Sequence, residues 1–415
     1  MVIWLWISFL ILIGGLLALD LGVFNRRPHT VSMREALGWT AFWIALSFVF
    51  NGFIFLLYEH HWWGVGETIG KQLSGHQAAL QYLTGYLIEK TLSLDNIFVI
   101  AMIFTFFGVP NAYQHRLLFW GVLGAIVMRA VMIFAGIAAL EHFAWMIYVF
   151  GGFLIYTALK MLVTHHEKVD PERNLLVRAA KKLLPITREI EGPHFFVKRE
   201  GRWWGTPLCI ALVAVESADL LFAVDSIPAV IAVTRDPFLV FTSNVFAILG
   251  LRSLYFALAA LLERFRYLRY SLVFLLAFVG TKMILTHHYP IPTTVSLIVI
   301  ATIIFAGILV SVAAARPKRQ IPPLESQEEM LQWLKATGRR IRKIFVAIAG
   351  VTLLLVGAAL LFLPGPGTVV IAVGLGLLAT QFVWAKRLLK RIEKEARDAV
   401  NAARGRSSQS DESDE

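Results

Sequence analysis

The sequence is poor in charge and in cysteine. Charged residues make up 16% of the 415 residues, hydrophobic residues make up 57%, and the mean hydropathy is +0.67. Soluble domains carry about 25% charged residues, so this composition excludes an ordinary soluble globule and indicates a membrane protein. The single cysteine, Cys209, excludes an intrachain disulfide and a thiolate metal cluster.

The sequence also lacks the motifs of nucleotide-driven chemistry. It has no Gly-x-x-x-x-Gly-Lys-Ser/Thr segment and no hydrophilic stretch large enough for a nucleotide-hydrolysing domain. An ATP-driven pump is therefore disfavoured, and we expect no enzymatic activity. The net charge of +11 does not indicate a nucleic-acid partner, because Lys and Arg of membrane proteins collect in cytoplasmic loops.

Long apolar runs predict a polytopic bundle of transmembrane helices in the lipid bilayer, and hence an all-α fold. A hydrocarbon core about 30 Å thick needs roughly 20 apolar residues per helix. Such runs lie near residues 2–24, 37–58, 78–107, 115–139, 143–163, 206–233, 238–262, 269–286, 293–315, 344–363 and 368–385.

The basic residues outside these runs predict the orientation of the chain. Nearly all of them fall in one set of alternating loops, whereas the opposite loops hold only Lys71 and Arg235. Basic loops face the cytoplasm. We therefore predict an N-terminus outside the membrane and a C-terminus in the cytoplasm.

The chain is predicted to divide into a core, residues 1–315, and a terminal hairpin. The core contains a cytoplasmic loop after the fifth span that is long enough for a surface helix. A cytoplasmic linker, residues 316–343, contains the capping box Ser326-Gln-Glu-Glu329, which predicts a short amphipathic helix. The terminal pair of spans, residues 344–385, precedes a basic helix and a disordered acidic tail, residues 386–415.

Two segments of the core, at about 78–166 and 206–288, carry the same polar landmarks in the same order. Each has three predicted spans, an odd number, so the second copy must enter the membrane in the opposite direction. Inverted repeats are a recurrent transporter architecture with the ligand site near the midplane, often at interrupted helices, and Pro228 is expected to interrupt the sixth span. The matched landmarks are Ser93-Leu-Asp95 with Ser217-Ala-Asp219, Arg129 with Arg252, and Lys160-Met-Leu-Val-Thr-His-His166 with Lys282-Met-Ile-Leu-Thr-His-His288.

Charged and polar residues lie at membrane depth in the third and sixth spans. A charge at the centre of a spanning helix costs about 2.5–3.5 kcal/mol, so such residues face a cavity, pair with each other or bind a ligand. Their carboxylate, amide and hydroxyl oxygens suit Mg²⁺, Ca²⁺ or Mn²⁺ better than copper, and suit zinc less naturally. They are Glu89, Lys90, Ser93, Asp95 and Asn96 in the third span and Glu216, Ser217, Asp219 and Asp225 in the sixth.

Internal pairing is the alternative to a bound cation. The acids could pair with Lys90, Arg129 and Arg252, but they outnumber these bases, and the surplus favours a cation or protons held on the carboxylates. Arg129 and Arg252 could serve as counterions of an empty site, or could bind the carboxylate of an exported metabolite. Asp20 either caps the first span or lines an entrance. Duplication could also have built a merely stable bundle, with close helix packing at Gly121, Gly124, Gly151 and Gly152.

At these residues the sequence resembles the TerC family of bacterial membrane proteins. The resemblance is carried by Asp20-Leu-Gly-Val-Phe24, Glu89-Lys-Thr-Leu-Ser-Leu-Asp-Asn96 and the segment from Glu216 to Pro228, and it covers about residues 3–315. It implies a protein of the bacterial inner membrane that exports manganese and is associated with tellurium resistance. It also implies that the acids of these segments handle the metal. Tellurium oxyanions fit an acidic site poorly on electrostatic grounds.

The terminal pair of spans is similar to small membrane proteins named for a Pro-Gly-Pro-Gly-Trp motif. The similarity rests on Phe362-Leu-Pro-Gly-Pro-Gly-Thr368, in which Thr368 stands where the name expects Trp. Pro and Gly favour a tight turn between two spans. We therefore predict a structural hairpin at this end of the chain.

The function predicted from these features is secondary transport that exports a divalent metal cation, Mn²⁺ before others, in exchange for protons. No permanently bound cofactor is expected, and the oligomeric state is left open. The alternatives are a membrane scaffold or assembly factor with a structural polar core, and an exporter of a small metabolite. The predicted metal ligands are Asp95, Glu216, Asp219 and Asp225, supported by Glu89 and Asn96, with Asp20, Lys90, Ser93, Arg129, Ser217 and Arg252 as supporting residues or counterions.

Overall fold

The structure is a computed structural model. Several predicted features lie outside the part of the chain that it describes, namely Asp20, the side chain of Asp95, the capping box at 326–329, the Pro-Gly turn and the acidic tail. The described residues are 2–19, 33–65, 73–163, 174–187, 189–199, 201–259, 268–286, 291–314, 343, 346–354, 367–383, 385–389 and 391.

Helices dominate the described chain, which confirms the predicted all-α membrane bundle. They begin and end close to the predicted spans, because long apolar runs fold as helices in which every backbone polar group is bonded internally. The helices are α1 (Val2–Leu19), α2 (Met33–Glu59), α3 (Gly75–Phe106), α4 (Asn111–His142), α5 (Met146–Val163), α6 (Leu175–Leu183), α7 (Pro207–Ile231), α8 (Pro237–Leu249), α9 (Leu251–Ala259), α10 (Leu268–Leu285) and α11 (Thr293–Ala314), followed by Gly367–Ala379.

Four helical runs among the described residues are long and apolar enough to cross a bilayer. They are Met33–Glu59, Asn111–His142, Pro207–Ile231 and Pro237–Ala257, the last of which combines α8 with most of α9. α3 is as long as α4, at 32 residues each, but it carries the charged residues of the third predicted span. The inverted relation between the two repeats stays a prediction.

The long loop between α5 and α7 contains the predicted surface helix, α6, and a hairpin that was not predicted. Strands β1 (Phe196–Arg199) and β2 (Arg202–Gly205) pair antiparallel, with Arg199 opposite Arg202. Gly201 lies in the two-residue turn with φ of +77°, a conformation that glycine adopts without steric cost. β2 ends two residues before α7 begins, so the hairpin lies directly at the start of a membrane-spanning helix.

The chain divides into two compact units, of which the first comprises Met1–Glu263 and Leu275–Ile300. In this unit α3 packs against α2, α7 and α8, and α4 packs against α7 and α8. Aromatic contacts join the outer helices to this core. Phe50 on α2 lies 4.6 Å from Phe246 on α8 between ring centroids, and Phe9 on α1 lies 5.8 Å from Phe238. Such aromatic pairs stabilise packing by about 0.5–1.5 kcal/mol each.

Glycines allow close helix approach at three of the four predicted positions. A Cβ atom on Gly121 would lie 3.3 Å from Val215, and Gly151 lies against Ile284 and the backbone of α10. Gly124 lies against the carboxylate of Glu216. The prediction is wrong for Gly152, where a Cβ would meet no atom within 4 Å.

The expected interruption at Pro228 does not occur, because α7 continues past it to Ile231. The break instead falls in the next predicted span, where α8 ends at Leu249 and α9 begins at Leu251. Gly250 separates the two helices with φ of −80° and ψ of 0°. A Cβ atom there would lie 2.7 Å from Lys90 Nζ and 3.2 Å from Trp43 Cβ, so glycine provides the space that these side chains occupy.

The second unit comprises Arg264–Phe274 and Ala301–Glu415. Within it, the helical segment 346–354 packs against the helix Gly367–Ala379. A Cβ atom on Gly374 would lie 2.9 Å from Leu353 Cβ, and one on Gly350 would clash with Leu378. These two glycines therefore allow the described parts of the terminal pair to approach closely.

Candidate functional site

Arg129 on α4 lies at the centre of a buried polar cluster. Its Nε and Nη2 atoms donate to the two carboxylate oxygens of Asp219 on α7, at 3.1 and 2.9 Å. The side chain of Arg129 is 1% exposed and that of Asp219 is 12% exposed. This two-point pairing matches the planar fork of the guanidinium group and fixes the orientation of the carboxylate.

The third nitrogen of Arg129, Nη1, connects two further helices to the same group. It donates to the carboxylate of Glu89 on α3 and to Asn244 Oδ1 on α8 at 3.2 Å, and it lies 3.4 Å from Ser226 Oγ. Asn244 Nδ2 in turn donates to Glu89 Oε2 at 3.0 Å. We call Glu89, Arg129, Asp219, Ser226 and Asn244 the Arg129 cluster; all five residues are buried.

The Arg129 cluster contains two carboxyl groups and one guanidinium group. When both acids are ionised, one negative charge is left over within the cluster. Buried charges are tolerated when they are paired and hydrogen-bonded, and removing one partner leaves the others strongly destabilised. The arrangement can therefore hold a guanidinium group between two acids, and one proton on either carboxylate would neutralise the remaining charge.

Glu216 lies one turn before Asp219 on α7 but contacts a different part of α4. Its carboxylate packs against Gly124, where a Cβ atom would clash with it. Glycine at position 124 is thus required for the carboxylate to reach this place. The side chain of Glu216 is half-buried, and it is a neighbour of the cluster rather than one of its bonded members.

Asp225, two turns further along α7, faces α5. Its Oδ1 atom accepts a hydrogen bond from Thr157 Oγ1 at 3.1 Å. The acids of α7 therefore point to different neighbours, and the structure brings Glu89 and Asp219 together through Arg129. In the part of the chain that the structure describes, no group of three His, Cys, Asp or Glu residues is placed to hold a metal ion.

The other polar residues of α3 that were predicted to support the site are not bonded members of the Arg129 cluster as defined above. Lys90 Nζ donates to the carbonyl oxygen of Ala247 at 3.2 Å, near the end of α8. Ser93 Oγ donates to the backbone carbonyl of Glu89 at 2.7 Å, within its own helix. Asn96 is 3% exposed.

Two further predicted residues lie on α9 and α3. Arg252 lies on α9, two residues after Gly250, and is 7% exposed. Asp95 belongs to α3 by its backbone. Asn244 on α8 joins α3 and α4, because it bonds to Glu89 on the first and to Arg129 on the second.

Sequence reasoning missed Thr157 and Asn174. Asn174 caps α6, because its Oδ1 accepts from the backbone N–H groups of Leu176 and Val177 at 2.9 and 3.4 Å. Its Nδ2 donates to Ser217 Oγ on α7 at 2.6 Å, two residues from Asp219. An Asn before an amphipathic run is an N-cap signal that the sequence contains. Thr157 stands in an apolar helix and gives no comparable signal.

The chain is similar to known membrane proteins over most of its length. The "Integral membrane protein TerC family" matches residues 74–320, and the family "Putative transmembrane protein (PGPGW)" matches residues 343–395. An uncharacterized membrane protein of Myxococcus xanthus is 49% identical over 312 residues, which cover 75% of this chain and 93% of the relative.

Two further relatives show the same extent of similarity. The protein named "Putative membrane-bound redox modulator Alx" from Escherichia coli (strain K12) is 44% identical over 308 residues, 74% of this chain and 94% of the relative. An uncharacterized membrane protein of Rickettsia felis is 42% identical over 307 residues, 74% of this chain and 97% of the relative. No solved structure matches the chain.

Proposed function

The chain belongs to the TerC family of integral membrane proteins, and we propose that it is a secondary transporter that exports Mn²⁺ in exchange for protons. The observation that supports the proposal is the pair of carboxylates, Glu89 and Asp219, joined by one guanidinium group among spanning helices. Ionisable residues at membrane depth commonly mark ion pathways.

In this proposal Arg129 is a tethered counterion of the empty site. The guanidinium group keeps two like charges together that would otherwise repel each other in a medium of low dielectric constant. A cation that binds between the carboxylates must displace it. Exchange between Arg129 and a metal ion would then alternate the site between empty and loaded states.

Charge balance favours a divalent cation in this site. With Arg129 displaced, a divalent ion neutralises the two carboxylates, whereas a monovalent ion leaves one negative charge in the membrane interior. The available oxygens come from the carboxylates of Glu89 and Asp219, the amide of Asn244 and the hydroxyl of Ser226. Hard oxygen donors of this kind suit Mn²⁺, Mg²⁺ and Ca²⁺.

The experiment is Mn²⁺ flux in proteoliposomes that contain the purified full-length protein. We expect flux driven by a pH gradient, competition by divalent cations, and loss of flux in Asp219→Asn. The matched control is Glu189→Gln, which neutralises an exposed acid of the long loop and should leave flux unchanged. Flux that persists in Asp219→Asn would overturn the assignment of this site.

A membrane scaffold is the second candidate, and one observation favours it. The Arg129 cluster satisfies its own acids by internal pairing, as a structural polar core does. Absence of Mn²⁺ flux under both a pH gradient and a membrane potential, with folded protein, would support this candidate. An exporter of small carboxylate metabolites would instead transport without competition from Mn²⁺.

A further inference from the structure

One face of the β1–β2 hairpin presents aromatic and basic side chains to the exterior. Lys198 and Trp203 are directly opposite each other in the strand register, so their side chains lie on the same face. Phe196, two residues before Lys198, shares that face. Trp203 is 62% exposed and Phe196 is 48% exposed, whereas the two residues of the Val197–Trp204 pair on the opposite face are half-buried.

α6 has a similar exposed face beside the hairpin. Val177 is fully buried in the cluster that contains the first turns of α7. Leu175 and Lys182 are seven residues apart and therefore lie on one side of α6, away from Val177. Leu175 is 78% exposed, Leu183 is 81% exposed, and Lys182 is exposed. The face thus combines leucines with a basic residue near its end.

Both faces lie beside the same spanning helix. The hairpin ends at Gly205, and α7 begins at Pro207. Asn174 contacts Ser217, ten residues along α7, which places the start of α6 roughly 15 Å from the first residue of that helix. α6 therefore runs antiparallel to the first half of a membrane-spanning helix. Its exposed leucines therefore lie beside the half of α7 that follows the hairpin.

We propose that α6 and the hairpin form a docking surface for anionic phospholipids, which we call the α6–hairpin surface. Its residues are Leu175, Lys182, Leu183, Phe196, Lys198 and Trp203. Leucine, Phe and Trp insert at the level of the acyl boundary, and the two ammonium groups bind the phosphates of the headgroups. Amphipathic elements with this composition bind membrane interfaces, and each Lys near an anionic leaflet strengthens binding about fivefold. This proposal does not depend on the transport of any ion.

The test measures the depth of the hairpin with a single fluorescent label. Cys209→Ser removes the natural cysteine, and a dye is attached at Trp203→Cys or, as the matched control on the opposite face, at Arg202→Cys. The full-length protein is reconstituted in phosphatidylcholine vesicles that contain a spin-labelled lipid quencher, with or without phosphatidylglycerol. We expect stronger quenching at position 203 than at position 202, and an increase at position 203 with phosphatidylglycerol.

Charge reversal tests the headgroup contact in the same assay. Lys182→Glu combined with Lys198→Glu should remove the increase caused by phosphatidylglycerol, whereas Arg202→Glu should retain it. Equal quenching at the two dye positions would overturn the proposal, as would quenching that ignores phosphatidylglycerol. Loss of the increase on addition of inorganic phosphate would assign the surface to a free anion instead. The comparison of the two dye positions remains decisive if the doubly substituted protein does not fold.

Discussion

The Arg129 cluster and the α6–hairpin surface hold basic side chains in opposite surroundings. In the cluster, one guanidinium group is 1% exposed and contacts groups from three other helices. On the surface, Lys182 and Lys198 are exposed and lie among apolar side chains. Replacing a charged side chain in the cluster leaves its partners buried and unpaired, and this destabilises the fold. Replacing one on the surface should have little effect on the fold.

The largest effect is expected from removing the guanidinium group of the cluster. Arg129→Met leaves Glu89 and Asp219 buried without their cation, and should destabilise the protein by about 3–5 kcal/mol. Thermal unfolding in detergent measures the loss. Arg202→Met is the control on an exposed site. Glu89→Gln and Asp219→Asn, combined with Arg129→Met, should restore part of the stability, and an unchanged unfolding temperature in Arg129→Met would contradict the pairing.

A smaller effect is expected where Glu216 packs against α4. Gly124→Ala introduces a Cβ atom that clashes with the carboxylate, and because this is the movable end of a flexible side chain the cost should be about 1 kcal/mol, the lower limit for overpacking. Gly152→Ala is the matched control, because open space surrounds that position. Adding Glu216→Ala to Gly124→Ala should relieve the clash. Equal unfolding temperatures for Gly124→Ala and Gly152→Ala would show that Glu216 does not occupy this place.

The hydrogen bond between Asn174 at the start of α6 and Ser217 on α7 should contribute about as much to the stability of the protein as a helix cap does. Asn174→Ala removes both the cap of α6 and the hydrogen bond to Ser217, with an expected loss of about 1 kcal/mol. Hydrogen exchange at the amides of Leu176 and Val177 measures the local effect. Asn174→Asp retains the acceptor and should keep these amides protected. Unchanged exchange in Asn174→Ala would argue against the cap.

The smallest effect is expected at the ion pair of the hairpin. Arg199 pairs with Glu191, and their side chains are 55% and 33% exposed. Exposed pairs contribute about 0.2–1 kcal/mol, and salt screens them. Arg199→Ala should therefore shift the unfolding temperature only slightly, by an amount that falls at high salt. A loss as large as that of Arg129→Met would remove the distinction between the two regions.

The helices could be predicted from the sequence because length and hydropathy decide them. α3, α7 and α11 lie close to their predicted spans, and α6 fills the loop where a surface helix was expected. The sequence does not predict the hairpin at 196–205, because apolar and basic residues stand there in consecutive pairs rather than in strict alternation, and Gly201 alone is a weak turn signal. Pro228 does not end α7, since a proline removes a single i→i−4 backbone hydrogen bond and membrane helices tolerate this loss when neighbouring groups satisfy the freed carbonyl.

The site could be predicted only as a set of residues. The sequence indicates that Glu89, Asp219 and Arg129 lie in spanning helices. It leaves two alternatives for the acids, a bound cation or ion pairs with the nearby bases. It could not decide which acid meets which base, because that depends on how α3, α4 and α7 are rotated about their axes. Asp225 illustrates the limit, since it shares a helix with Asp219 and yet bonds to Thr157 on α5.

Gly250 divides one membrane crossing into two helices, α8 and α9, that are held by different contacts. α3 is joined to α8 by two hydrogen bonds. Glu89 accepts one from Asn244, and Lys90 donates the other to the carbonyl of Ala247, three residues further along α8. α8 ends at Leu249, and the first turn of α9 is bonded to Gly250 itself, since Leu254 N–H donates to the Gly250 carbonyl at 3.0 Å. The break therefore separates Asn244, which is bonded to the Arg129 cluster, from Arg252 on the far side of Gly250.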